Sequence, residues 1–229
     1  MRSYNRKNNE ARPYSFETGF TKNANGSVLV RCGETVVLCT ANVEEKVPPW
    51  LADKGVGWVT AEYAMLPGST SERVSRKSTG RSKEIQRLIG RSLRASIDEK
   101  LLAGYTISID CDVLQADGGT RTASICGGWV AMSLAIKEAG INTDAVKSVC
   151  SAISVGILDD EILVDLDYRE DSSADVDMNL VCCDGGFVEI QGTGEKTTFN
   201  QEQLLEIIKD GQAAIDLINE LQQKAVSGS

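Results

Sequence analysis

The 229-residue sequence predicts an α+β fold, and three observations carry that prediction. Apolar, β-branched runs pair off around short turns; apolar residues recur at helical spacing in other stretches; and the two kinds of segment do not alternate regularly, as they would in a βαβ series. The elements follow in order. "SVLVRCGETVVLCTANV" reads as a hairpin turning at Gly33-Glu34, and "GWVTAEYAML" (57–66) as a further strand. Residues 67–80, "PGSTSERVSRKSTG", are polar, basic and poor in apolar side chains, so they form a loop. From Ser82, a plausible N-cap, a helix is expected, because Ile85, Ile89, Leu93, Ile97 and Leu101 recur every four residues with Leu88 beside them. "YTISIDCDVL" alternates as a strand, a glycine turn follows, and "ASICGGWVAMSLAIKEAG" reads as a buried helix ending at Gly140. Four more strand runs come next: "SAISVGIL" and "EILVDLDY" around Asp159-Asp160, then "VDMNLVCC" and "FVEIQGT" around Asp184-Gly185-Gly186. A last helix is expected from about Asn200 to Lys224, with residues 224–229 as a frayed tail. No linker or repeat divides the chain, so 1–229 is read as one domain.

Composition narrows the chemistry. With 41% hydrophobic and 25% charged residues the chain resembles ordinary globular proteins, which excludes disordered and fibrous classes. No apolar run reaches membrane-spanning length and "MRSYNRKNNEARPY" holds no secretory segment, so the cytosol is the expected compartment and no membrane partner is expected. Seven cysteines without a CxxC pair read as buried, reduced thiols. The absence of histidine rules out imidazole bases and His-containing triads. A formal net charge of −9 argues against a surface uniformly adapted to nucleic acid. The charge is unevenly spread, however. Residues 68–94 carry eight basic side chains against two acidic ones, whereas 157–177 carry nine carboxylates and only Arg169. The first segment suits phosphates and the second suits a cation.

Three constellations could carry chemistry. In "QADGGTRTASICGG" (115–128) a strand hands over to a helix, where unpaired backbone amides and the helix dipole favour an anion. Gly118 and Gly119 permit close approach, Thr120 offers a hydroxyl, and Arg121 offers a forked guanidinium; the alternative is a plain turn. It is neither a Walker A loop nor a dinucleotide turn, and "GTGEK" (192–196) reads as a hairpin loop. Arg81 stands at a second helix start, either converging on the same anion or belonging to a solvated basic face. Finally, "REDSSADVDMN" gathers Glu170, Asp171, Asp175 and Asp177, which are either solvated or oxygen ligands for a hard cation such as Mg²⁺ or Mn²⁺.

Taken together, "GSVLVRCGETVVLCTANVEEKVPP", "GWVTAEYAMLP", "GRSKEIQRLIGRSLRA", "DCDVLQADGGTRTASI", "SVGI", "EDSSADVDMNLV" and "EIQGTGE" resemble, in order and over nearly the whole chain, the ribonuclease PH family of phosphate-dependent 3′→5′ exoribonucleases. The resemblance implies a ribosomal protein S5 domain 2-like fold, with mixed sheets and packed helices, and a homohexameric ring built as a trimer of dimers. It implies that inorganic phosphate, as co-substrate, attacks the 3′ terminal phosphodiester of RNA, tRNA precursors above all, and releases nucleoside diphosphates. By motif, the phosphate site falls on Arg81, Gly119, Thr120 and Arg121. The acidic pair falls on Asp171 and Asp177, as ligands of Mg²⁺ or Mn²⁺ or as general acid, so that Arg81, Arg121, Asp171 and Asp177 form the catalytic set. RNA guidance falls on Arg73, Arg76 and Lys77. The segment between "MLP" and "GRS" is several residues shorter than in bacterial members and carries Gly68 where an arginine is usual, which reduces the guiding loop. The alternative within the resemblance is a noncatalytic RNA-binding subunit of an exosome-like ring. Retention of both arginines and both aspartates separates the two readings in favour of the enzyme.

Overall fold

The computed structural model describes residues 2–228. In chain order its elements are β1 (Tyr14–Thr18), β2 (Gly26–Cys32), β3 (Thr35–Glu44), β4 (Trp58–Met65), α1 (Gly80–Ala95), β5 (Thr106–Gln115), α2 (Thr120–Glu138), β6 (Cys150–Leu158), β7 (Glu161–Val164), α3 (Tyr168–Ser173), β8 (Val176–Cys183), β9 (Gly186–Gly194) and α4 (Gln201–Ser227). The α+β class expected from the sequence is what the chain adopts.

Two sheets form the frame. The first has the order β1-β2-β3-β5-β4 and the second β7-β6-β8-β9. The β2–β3 hairpin closes with Cys32 opposite Thr35, and β1, which the sequence did not mark as a strand, pairs along the outside of β2. β5 is antiparallel to β3 but parallel to β4, so β4-α1-β5 is a parallel crossover within an otherwise antiparallel sheet.

α2 is apolar on every side, and that composition fits its place against the inner face of β2 and β3 with β6 behind it. Packing there is tight: a Cβ on Gly127 would lie 2.3 Å from Val30 Cγ2. Side chains from α2 enter both large apolar clusters, one centred on each sheet, so the two halves of the chain share a core. Six cysteines are buried in these clusters or beside them, Cys183 is partly exposed, and all seven are free thiols. No helix among the described residues is long and apolar enough to cross a membrane.

Several boundaries differ from the sequence reading. Thr79, not Ser82, caps α1: its Oγ1 accepts from the Ser82 amide at 3.2 Å, and Ser82 Oγ accepts from the Thr79 amide at 2.7 Å. The apolar stripe on Ile85, Ile89 and Leu93 is buried as expected, but the helix stops at Ala95 and Leu101 is exposed in the turn beyond. α2 starts at Thr120, ahead of the apolar run, which puts Thr120 and Arg121 in its first turn. β7 ends at Val164 because Asp165 takes a left-handed backbone, φ +59°. α4 continues to Ser227, with Ala225 and Val226 packed on the core, so the tail expected to fray from 224 is helical that far; Ser229 lies outside the described residues.

Candidate active site

The glycine turn is built by its surroundings. Gly118 and Gly119 take successive left-handed conformations, φ +72° and +65°. The buried Thr35 pins the turn, its Oγ1 accepting from the Asp117 amide at 2.9 Å and donating to the Gly118 carbonyl at 2.6 Å. A Cβ on Gly118 would stand 2.4 Å from the Leu166 carbonyl oxygen. Gly118→Ala is therefore expected to destabilise the protein by more than about 1 kcal/mol from the backbone conformation alone, with the Leu166 contact adding to it, in a denaturant titration.

Gly119 is the N-cap of α2 and has no side chain with which to cap it, and the first turn holds no acidic residue. The positive end of this helix dipole is left for an external anion. Thr120 shares a 2.8 Å hydroxyl–hydroxyl hydrogen bond with Tyr63, which stands near the end of β4. Arg121 is largely buried: its Nη1 donates to Gln191 Oε1 at 3.0 Å and lies 3.7 Å from Glu84 Oε1. Gln191 comes from β9 and Glu84 from α1, so a strand and a helix from opposite halves of the chain hold this guanidinium.

The carboxylates arrive from the other sheet. Asp171 lies on α3, a short helix that the sequence reading does not mark. A capping box fixes it, with Asp167 accepting from the amides of Arg169 and Glu170 and Glu170 accepting from that of Asp167. Asp177 lies on β8 between Gly156 and Thr193. Burial pushes the Asp171 carboxyl up, opposed by the charges of Arg81 and Arg121. Asp177 is pushed up to about 6, first by burial and then by the negative charge of Asp171, with Arg121 and Arg81 pulling the other way. Tyr63 is raised by burial and drawn down by its Thr120 hydrogen bond and by the same two arginines.

Arg81, Thr120, Arg121, Asp171 and Asp177 thus share one electrostatic neighbourhood although they come from four elements. Arg81 itself is exposed at the start of α1. Arg73, Arg76 and Lys77 are exposed in the irregular stretch between β4 and α1, and no ion pair holds them among the described residues. No group of three or more Cys, Asp or Glu arranged to hold a metal occurs among the described residues. Sequence reasoning missed Tyr63, Glu84, Gln191 and Glu195, the last of which raises both aspartates. Gln191 was visible only as part of the "EIQGTGE" string.

The α+β scaffold sets a glycine-led helix start and two arginines against a pair of part-buried carboxylates, an arrangement chemically suited to an anionic substrate. Domain 1 of the 3′ exoribonuclease family matches residues 10–142 and domain 2 matches residues 148–214. Ribonuclease PH of Rhodopirellula baltica is 49% identical over 95% of this chain and 94% of that protein, and ribonuclease PH of Synechococcus sp. is 51% identical over 99% and 98%. The chain belongs to the 3′ exoribonuclease family. Its fold is shared with rice Rrp46, at a TM-score of 0.82 and 20% identity over 98% of this chain and 100% of that one. It is shared too with an Archaeoglobus fulgidus exosome chain solved with RNA bound to the active site, at a TM-score of 0.81 and 19% identity over 94% and 90%.

Proposed function

We propose that this protein removes 3′-terminal nucleotides from RNA, tRNA precursors among them, by phosphorolysis, releasing nucleoside diphosphates. The observation that carries this reading is the juxtaposition of Arg81, Arg121 and the uncapped start of α2 with the Asp171–Asp177 pair. Arg81, Arg121 and the Gly119–Thr120 backbone hold inorganic phosphate, offset its repulsion from the anionic diester and fix it in line with the terminal phosphorus. A phosphate oxygen forms the new P–O bond, the bond from phosphorus to the 3′ oxygen of the penultimate ribose breaks, and that oxygen takes a proton. Phosphate is already the nucleophile, so the missing histidines leave no gap.

Asp177 suits either of two roles beside the leaving oxygen. A carboxyl held near 6 retains some proton at neutral pH and can donate it. Two neighbouring carboxylates, one raised by the charge of the other, are also a hard oxygen donor set that Mg²⁺ or Mn²⁺ would relieve. Such a cation, held by Asp171 and Asp177, would stabilise charge on the leaving oxygen.

Arg73, Arg76 and Lys77 guide the RNA. Replacing Arg73 and Arg76 with alanine is expected to flatten the dependence of log Kd on log salt by roughly 0.7 per arginine, measured by fluorescence anisotropy with single-stranded RNA. An unchanged slope would remove them from the RNA path. We further infer a cytosolic homohexamer in which the chain acts as one domain. The core shared across α2 supports the single domain, and exposed Leu205 and Leu217 on α4, with Phe187 and Ile190 on edge strand β9, offer apolar surface to neighbouring copies. Because the reaction is reversible, the protein should also extend a 3′ hydroxyl from nucleoside diphosphates when phosphate is absent. Failure to extend RNA at millimolar diphosphate would count against phosphorolysis.

A further inference from the structure

We propose that Arg12, which no part of the mechanism above uses, is a positioning residue that sets the separation between the phosphate turn and the carboxylate-bearing corner. The proposal rests on the reading of the site just given. Arg12 is fully buried. Its Nε and Nη2 donate to the two oxygens of Asp165 at 2.9 and 2.7 Å, and its backbone amide donates to Asp165 Oδ2 at 2.8 Å. On its other side, Nη1 donates to the carbonyl of Asp117 and Nη2 reaches that of Gly118 at 3.4 Å. One guanidinium therefore bonds both the turn that leads into Thr120 and Arg121 and the corner that leads into α3 and Asp171.

The two ends of this clamp are themselves rigid. Asp165 is completely buried and held in a left-handed conformation unfavourable to a non-glycine residue, with its amide bonded to the Ser154 carbonyl at 2.6 Å and that of Leu166 to Ser154 Oγ at 3.1 Å. Next to it, Arg6 bonds the Asp165 carbonyl at 2.6 Å and, with Arg2, the carboxylate of Glu170, the residue before Asp171. At the other end a Cβ on Gly119 would lie 3.0 Å from Arg12 Nη2, so the turn rests on the guanidinium. Arg12 and Gly119 fall in the stretch matched by family domain 1, whereas Asp165 and Asp171 fall in that matched by domain 2. The clamp spans the seam along which the two halves of the site meet.

Stability alone does not require an ion pair here, because a buried pair can often be exchanged for apolar side chains at little or no cost. What the guanidinium adds is a planar fork that fixes a carboxylate and two carbonyls in one geometry, which a lysine cannot do. Misplacing reacting groups by about 1 Å costs on the order of 10²-fold in rate.

The experiment compares the parent with Arg12→Lys and with the double variant Arg12→Met/Asp165→Leu. Each is measured as the purified full chain for melting temperature, assembled mass, kcat, and KM for phosphate and for RNA. The double variant is expected to melt lower than the parent, because Leu is strained at φ +59° and the buried backbone amide of residue 12 loses its acceptor. Where it folds, it is expected to keep the parental RNA KM while kcat falls about 10²-fold and phosphate KM rises. Arg12→Lys is expected to show the same split and supplies the test if the double variant does not fold. A folded variant of either kind with parental kcat and phosphate KM overturns the positioning role. The parent separates this from the function itself: if it shows no dependence on phosphate, phosphorolysis fails, whereas a phosphate-dependent parent with unaffected variants removes only Arg12.

Discussion

Arg121→Ala is expected to lower kcat/KM by about 10²–10³-fold, the cost of removing one preorganised donor from a developing charge. Arg121 sits in the first turn of α2, is largely shielded from water, and is steadied by Gln191 and Glu84 from two other elements. Phosphate bound there, as proposed, would feel the Arg121 charge in a medium less screening than water. The substitution also removes one of the arginines that hold down Asp171 and Asp177, so both carboxyls should move further up. Assembly should persist, since Arg121 belongs to neither apolar cluster. Initial rates over a range of phosphate concentrations, with mass checked by sedimentation, decide the matter. A rate within twofold of the parent would place the anion site elsewhere.

Asp177→Asn is expected to separate stability from activity. The carboxyl has a folded-state value of about 6, above the unfolded value of about 3.9, so the folded state holds the proton more tightly. Stability tied to that proton is fully present below about pH 3.9 and is lost as pH rises through 6. At pH 7 the ionised carboxylate then costs the fold on the order of 2–3 kcal/mol, which the neutral amide avoids. In chelator at pH 7 the variant should melt about 5 °C higher than the parent, and the difference should vanish toward pH 4. Turnover of the same variant should fall at least about 10²-fold, because the amide can neither donate the proton nor serve as a carboxylate ligand. A variant that melts no higher than the parent at pH 7 would contradict the electrostatic strain assigned to this pair.

The parts of the fold written in local periodicity were legible in the sequence. The β2–β3 hairpin, the alternation of β5 and the apolar stripe of α1 are local patterns, and the structure follows them. α3 was not legible because its six residues carry no apolar repeat. Its support comes from its capping box and from Arg2 and Arg6, more than 150 residues away. Asp165 was hidden for a similar reason: in a run of carboxylates it looks solvated, yet it is fully buried against Arg12. The glycine turn could be read as an anion site or as a plain turn, and its own residues did not decide between them. Arg81, Arg121, Asp171 and Asp177 have no spacing that joins them, because tertiary packing alone brings α1, α2, α3 and β8 together. Only the resemblance to a family linked them in advance.

The most direct measurement is product identification from a 3′-tailed RNA incubated with the protein, with and without inorganic phosphate. Shortening from the 3′ end only when phosphate is present, with nucleoside diphosphates as the released product, is the expected result. Nucleoside monophosphates, or shortening at the same rate without phosphate, would show that water is the nucleophile and that Arg81 and Arg121 do not hold the attacking group.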